Sequence, residues 1–367
     1  MRPEFWRDKR VLVTGHTGFK GSWLSLWLAE MGARVTGYAL EPPTTPSLFQ
    51  LARIAERVES LNGDVRDFDR LSRVVAEQRP EVVIHMAAQS LVRRSYVDPV
   101  ETYGTNVMGT VNVLEAARRT GADFVKVLLV VTSDKCYENR EWVWGYRETD
   151  PMGGHDPYSS SKGCAELITS AMRNSFFQSK TGAKGVAAVA SARAGNVLGG
   201  GDWAEDRLVP DIIKSWLEGM EVAIRSPRAV RPWQHVLDPL HGYLLLCEKL
   251  YEEGAAHAGG WNFGPREEDA RTVEHVVGRL SEMWASGDGK AAWALDKNEH
   301  PHEAHYLKLD CSKARTHLHW RPLWNLERTL KETVNWYRAY AGGEDMQRFS
   351  LEQIRAFHNS EAEGEGL

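Results

Sequence analysis

Residues 10–21 read Arg10-Val11-Leu12-Val13-Thr14-Gly15-His16-Thr17-Gly18-Phe19-Lys20-Gly21, and the fold is decided here. Val11-Leu12-Val13-Thr14 is a short apolar, β-branched run that suits a buried strand. Just beyond it, Ser22-Trp23-Leu24-Ser25-Leu26-Trp27-Leu28 suits a buried helix. The glycines between them are spaced G-x-x-G-x-x-G. Strand, glycine turn and helix in that order open a dinucleotide-binding fold. Residues without Cβ let the backbone approach a pyrophosphate, and the helix N-terminus offers unpaired N–H groups and the positive end of its dipole. An ordinary turn can carry the same glycines, so the weight lies in their position at the first strand–helix junction.

Working outward, further strands are expected at 33–40, just before Gly63, at 82–85, at 125–131 and at 185–192. Helical stretches intervene, so the expected fold class is α/β: a Rossmann-type doubly wound parallel sheet with a smaller carboxyl-terminal lobe. No acid stands at the end of the second strand, where a dinucleotide enzyme often keeps one for the adenosine ribose; Glu41 is the nearest, which leaves NAD and NADP both open. Asp64, with Val65 after it, is placed either to accept a bond from the adenine amine or to cap a turn. Ala87, Ala88 and Gln89 follow the fourth strand, and Asn106 lies on the next helix. All these segments sit at carboxyl ends of strands, the side on which open parallel sheets bind ligands.

The fifth strand runs into Thr132-Ser133-Asp134-Lys135, and Tyr158-Ser159-Ser160-Ser161-Lys162 follows. On one helix, Tyr158 and Lys162 share a face one turn apart. A lysine ammonium there favours phenolate over phenol and is expected to lower the tyrosine pKa from about 10 toward neutrality. Ser133 would hydrogen-bond the same substrate hydroxyl. Together these groups oxidise a carbinol, and the glycine turn supplies the place for a hydride acceptor.

The 367 residues, 42% hydrophobic and 26% charged, suffice for a large core in two closely joined lobes. No run of about 18 apolar residues occurs, and Met1–Arg10 is too charged for a secretory signal, so no membrane partner and a cytoplasmic location are expected. Cys136, Cys164, Cys247 and Cys311 show neither disulfide framework nor metal spacing. A net charge of −5 without a basic block argues against nucleic acid. The acidic tail from Asn359 to Leu367 is expected to fray.

Beyond Arg193-Ala194-Gly195-Asn196-Val197 the regular alternation is lost. Arg207, Arg225, Arg228 and Arg231 are available to a sugar-nucleotide diphosphate, Arg231 foremost, although any one arginine is more often a solvated surface residue. His300-Pro301-His302-Glu303-Ala304-His305 has the composition of a metal cluster, but its proline breaks helical geometry, and a loop is the reading taken; no metal is expected. Most of the 14 tryptophans are expected in the core, with Trp142, Trp144 and Trp233 beside the suspected substrate segments.

These segments in this order, over nearly the whole chain, resemble the extended short-chain dehydrogenases/reductases. Within them the chain is similar to the nucleotide-sugar 4,6-dehydratases, most of all to those acting on CDP-glucose. The resemblance is carried by the glycine turn, 132–137, 193–197, 231–235 and 302–310.

It implies NAD in residues 1–195, with 236–256 returning to that lobe, a discontinuous sugar-nucleotide lobe within 196–340, and a C-terminal extension at 341–367. It implies a homodimer through helices 100–119 and 157–178. It also implies internal hydride transfer: oxidation at C4 with Tyr158 as base, loss of the C5 proton and the C6 hydroxyl, and hydride return to C6. Catalytic residues would be Ser133, Asp134 as acid for the C6 oxygen, Lys135, Tyr158 and Lys162. Gly15 to Gly21, Asp64, Val65, Ala87, Ala88, Gln89 and Asn106, with Tyr158 and Lys162, would hold the cofactor, and Asn196, Arg207 and Arg231 the substrate. Lys135 departs from the glutamate of the dTDP-sugar relatives. A 4-epimerase, which needs no Asp134, and a non-catalytic dinucleotide-binding regulator stay as alternatives.

Overall fold

The computed structural model describes residues 1–177, 187–285, 291–296 and 306–364, with side chains as far as Glu361. Seven strands, β1 (Arg10–Thr14), β2 (Arg34–Ala39), β3 (Glu59–Asn62), β4 (Val82–His85), β5 (Val127–Val131), β6 (Ala188–Ala194) and β7 (Gly259–Phe263), form one sheet in the order β7-β6-β5-β4-β1-β2-β3. Every neighbouring pair is parallel. Strand order reverses between β1 and β4, so a crevice opens above their carboxyl ends. All of β4, β5 and β6 is buried, as a sheet covered on both faces requires.

One face is covered by α1 (Phe19–Glu30) and the other by α2 (Phe68–Gln78), whose Leu71 and Val75 enter the core. On the α2 side also lie α3 (Pro99–Tyr103), α4 (Gly109–Thr120) and α5 (Pro157–Phe176). The helix expected at 100–119 is α3 and α4 joined through a π-helical turn at Gly104–Met108. On the α1 side, α6 (Leu237–Glu253), α7 (Leu326–Ala341) and α8 (Met346–Gly364) complete the layer. After β6, apart from β7, the described residues form only short strand pairs: Val197–Leu198 with Gln234–His235, Val222–Ile224 with Trp293–Leu295, and Val230–Pro232 with Ala270–Thr272.

The tail does not fray from Asn359. Helix α8 continues to Gly364 because Glu361 is bonded by the Met1 amine at 2.7 Å and His241 at 3.0 Å, while Trp324 donates to Ser360. Residues 178–186, which hold the last residue of the helix expected at 157–178 and the first two of the strand expected at 185–192, and the histidine cluster at 300–305 lie outside the described residues. No described helix is long and apolar enough to cross a membrane, and the four cysteines are free thiols.

Candidate active site

Close approach shapes the glycine turn. Gly15 has φ +78°, and a Cβ on it would lie 2.7 Å from the Ala87 nitrogen; one on Gly21 would lie 2.1 Å from the Gly15 oxygen. Gly18 starts α1, and no side chain caps the helix. The turn thus leaves a bare N-terminal end facing the crevice, the arrangement a pyrophosphate needs. Thr17 is tied to the Leu40 carbonyl at 2.9 Å. The His16 ring turns inward, bonded to Ser60 at 2.7 Å and packed where Gly37 has no side chain; burial lowers it to about 4. What His16 offers a ligand is its backbone.

Around the turn, the Asp64 carboxylate is bonded by the Arg66 backbone and guanidinium, which hold it below the usual carboxylate range. Val65 is buried under Gly109, where a Cβ would come within 2.7 Å of it. Asn62 donates to Glu41, which fixes that acid at the end of β2. Asn106, inside the π turn, accepts from Gln89 N and donates to Gln89 O, both at 2.9 Å, and donates to Ser161 at 2.8 Å. Its amide is therefore committed to joining the Gln89 loop beyond Ala87 and Ala88 to the helix that carries Tyr158 and Lys162.

The chemistry gathers at the end of β5. Ser133 caps the short turn Asp134–Cys136 by accepting from Lys135 N, and donates to the Asp134 carboxylate at 3.0 Å. Asp156 caps α5, with Pro157 in its first turn, and this sets Tyr158 and Lys162 into the crevice. Ser133, Asp134, Tyr158 and Lys162 are all buried. Burial raises the Asp134 pKa despite the neighbouring Lys135 and Arg231, which favours a protonated acid. A Cβ on Gly195 would lie 2.8 Å from its Oδ2, so the carboxyl fills space that only glycine leaves.

Tyr158 departs from expectation. Its pKa is not depressed toward neutrality but raised to about 12, because burial outweighs its hydrogen bond with Ser133 and the charge of Arg207. Lys162 donates to the Val131 carbonyl at 3.3 Å, and burial lowers it to about 8 against the pull of Glu166. Lys20 joins this group: its amine donates to Tyr243 at 3.1 Å and is lowered to about 7 by burial and then by Lys162 and Arg207.

The arginines divide. Arg207 is bonded to Asp202 at 2.8 Å and to Ser90 at 3.1 Å, and its charge reaches Tyr158. Arg231 faces Asp134, and Asn196 lies partly exposed beside Gly195. Arg225 instead pairs with Asp206 at 3.0 Å. Tyr243, Glu166 and Arg193 were not singled out in the sequence. Only the spacing of Glu166, one turn past Lys162, could have drawn attention to it.

The profile of the GDP-mannose 4,6 dehydratase family matches residues 12–333. The CDP-glucose 4,6-dehydratase of Salmonella typhimurium is 59% identical over 350 residues, covering 95% of this chain and 96% of that one. This chain belongs to the nucleotide-sugar 4,6-dehydratase family, within the extended short-chain dehydrogenases/reductases. Among other dehydratases, the dTDP-glucose 4,6-dehydratase of Xanthomonas campestris pv. campestris is 27% identical, over 89% of this chain and 92% of that one. A dTDP-glucose 4,6-dehydratase double mutant from Streptomyces venezuelae, with NAD bound, superposes with a TM-score of 0.76 at 23% identity, over 92% of this chain and 99% of that one. That dehydratase shares the fold described above.

Proposed function

We propose that the chain converts CDP-glucose to CDP-4-keto-6-deoxyglucose and water, with NAD retained through the cycle. The observation that carries this reading is a buried carboxyl, Asp134, in one crevice with Tyr158 and Lys162. A 4-epimerase only oxidises and re-reduces C4 and has no use for such an acid. The 59% identity to the Salmonella enzyme favours the cytidine nucleotide.

The bare end of α1 and the cradle of Gly15 and Gly21 fit a dinucleotide. Gly15 to Gly21, Asp64, Val65, Ala87, Ala88 and Gln89 would hold it, with Glu41 at the ribose end; Asn106 acts by holding the Gln89 loop. When bound, NAD supplies the acceptor for hydride from C4, its donor at C6, and a positive charge while oxidised. Tyr158, bonded with Ser133, takes the C4 hydroxyl proton, and the Lys162 ammonium favours the resulting phenolate. The 4-ketone acidifies C5, whose proton is assigned to Lys135. Asp134 protonates the departing C6 oxygen, which leaves as water. Asn196, Arg207 and Arg231 bind the sugar nucleotide.

Residues 1–195 and 236–256 are assigned to the cofactor lobe, 196–340 mainly to the substrate lobe and 341–367 to a C-terminal extension. A homodimer through α3, α4 and α5 is supported by exposed Val100 of α3, Met108 of the π turn, and Leu167 and Phe176 of the adjacent α5. The four free cysteines suit a reducing cytoplasm.

The test is incubation with CDP-glucose and NAD, followed by proton NMR and mass spectrometry. A product lighter by one water, with a 4-keto-6-deoxy ring, is expected. A 4-epimer of unchanged mass would replace the reading, and unchanged substrate would remove it.

A further inference from the structure

Tyr158, Lys162 and Glu166 stand four apart on α5 and so form one stripe of that helix. The first two face the crevice. Glu166 lies behind them, buried, and makes a 2.7 Å ion pair with the buried Arg193 of β6. Burying both charges is unfavourable unless every oxygen and N–H is well placed, so the company of the pair matters. Glu166 accepts from Thr132 on one oxygen and from Ser191 and Arg193, both at 2.7 Å, on the other. Arg193 also donates to Tyr137 at 2.6 Å and to the Glu148 carbonyl at 3.1 Å. Tyr137 in turn donates to Asn262 of β7 at 2.7 Å. Thr132 immediately precedes Ser133, so the carboxylate grips both pieces of the site: the strand end bearing Ser133, Asp134 and Lys135, and the helix bearing Tyr158 and Lys162.

We propose that Glu166, kept ionised by Arg193, is a positioning residue that sustains the Lys162 ammonium and thereby sets the pH at which Tyr158 can act as base. The inference rests on the assignment of Tyr158 and Lys162 above. Lys162 is faced by Glu166 and Cys136, and its charge also reaches Lys20 and His85. Glu166 is the only carboxylate among those groups. Arg173, Arg193 and Cys136 face Glu166 in turn. Tyr158 is faced by Ser133, Asp134, Asp156, Arg207 and Tyr243. Without the Glu166 charge, Lys162 releases its proton at lower pH, and a neutral amine no longer favours the phenolate. The ascending limb of kcat against pH then moves upward.

The experiment compares pH profiles of kcat for the NAD-loaded enzyme with CDP-glucose. In Glu166→Gln the ascending limb should rise by about one to two pH units. Thr132→Val and Ser191→Ala each remove one bond to Glu166 but keep its charge, so their limbs should stay at the wild-type pH even where turnover falls. If Glu166→Gln does not fold, the paired change Glu166→Gln with Arg193→Met leaves no orphan charge and should still move the limb upward, by less because the opposing Arg193 charge goes with it.

A uniform loss of turnover with the limb unmoved would make the pair structural only and overturn the proposal, as would failure of both variants to fold. Should Tyr158→Phe and Lys162→Ala instead keep near wild-type turnover, the reading of the site fails, whatever the limb does.

Discussion

Asp134 is held by a neighbour that has no side chain. Its Oδ2 fills the space beside Gly195, and Ser133 donates to Oδ1. In the proposed reaction such an acid would serve the departure of the C6 oxygen and not the oxidation at C4, so mutation should separate the two halves. In Asp134→Asn, mixing with CDP-glucose should build up reduced cofactor absorbance while product formation falls by about 10²–10⁴-fold. Normal turnover without that build-up would remove the acid assignment.

Lys135 shares the turn with Asp134, and two roles compete for it: C5 base, or fixed charge beside the enolate. A positive charge near a developing enolate is worth several kcal/mol in a dry site, so overall rate cannot separate them. Deuterium exchange at C5 can. Lys135→Met should suppress exchange relative to C4 oxidation, and undiminished exchange would eliminate the base role.

At the scale of elements, α3, α4 and α5 leave Val100 81% exposed and Leu167 61% exposed on neighbouring helices. Apolar side chains exposed on adjacent helices are what the proposed dimer would cover. Val100→Glu with Leu167→Glu should turn a dimer into a monomer in sedimentation velocity, with thermal stability of the isolated chain little changed. A wild-type chain that sediments as a monomer at micromolar concentration would dispose of this interface.

Elements were also where the sequence was most and least legible. β1, β4 and β5 could be read because buried parallel strands are continuous apolar runs, whereas β3, Glu-Ser-Leu-Asn, is mostly exposed and was legible only from the Gly63 that follows it. β7, Gly-Gly-Trp-Asn-Phe, carries no such run, and it pairs with β6 across some 65 residues of sequence between Ala194 and Gly259. The π turn left no periodic trace either. At the site, Ser133, Asp134, Tyr158 and Lys162 were legible as local motifs, but the bond from Asn106 to Ser161 and the pairing of Glu166 with Arg193 join separate elements and exist only once the chain has folded. The raised Tyr158 pKa has the same origin: spacing showed the lysine, not the depth of burial.

Over the whole molecule, buried titrating groups oppose one another. Asp238 is buried, with Oδ1 accepting from Leu323 N at 2.6 Å, and burial pushes it up to about 8. An unfolded aspartate ionises near about 4, so between those values the folded chain keeps a proton that the unfolded chain has released, and stability falls as pH rises. His16, His85 and His235 are lowered by burial to about 4, 3 and 3. Unfolded histidines take up protons below about 6.5, so these three make stability fall as pH drops from there. Asp238→Asn should therefore flatten the loss of Tm from pH 6.5 to about 8.5 and leave the acid arm in place. Calorimetric scans across that range decide it, and an unaltered alkaline arm would refute the role of Asp238.

The contact of α8 with α1 has a consequence for how the chain is made. Arg355 grips Glu30 at 2.6 Å, and Glu361 grips the Met1 amine, so an early helix is covered by the last described one. A ribosome adding about 5–20 residues per second delivers α8 only on the order of tens of seconds after α1. Throughout that interval the nascent chain displays the outer face of α1 and, until β7 emerges, the unpaired edge of β6. A product cut short before Met346 should therefore be a client of chaperones and proteases rather than a smaller enzyme.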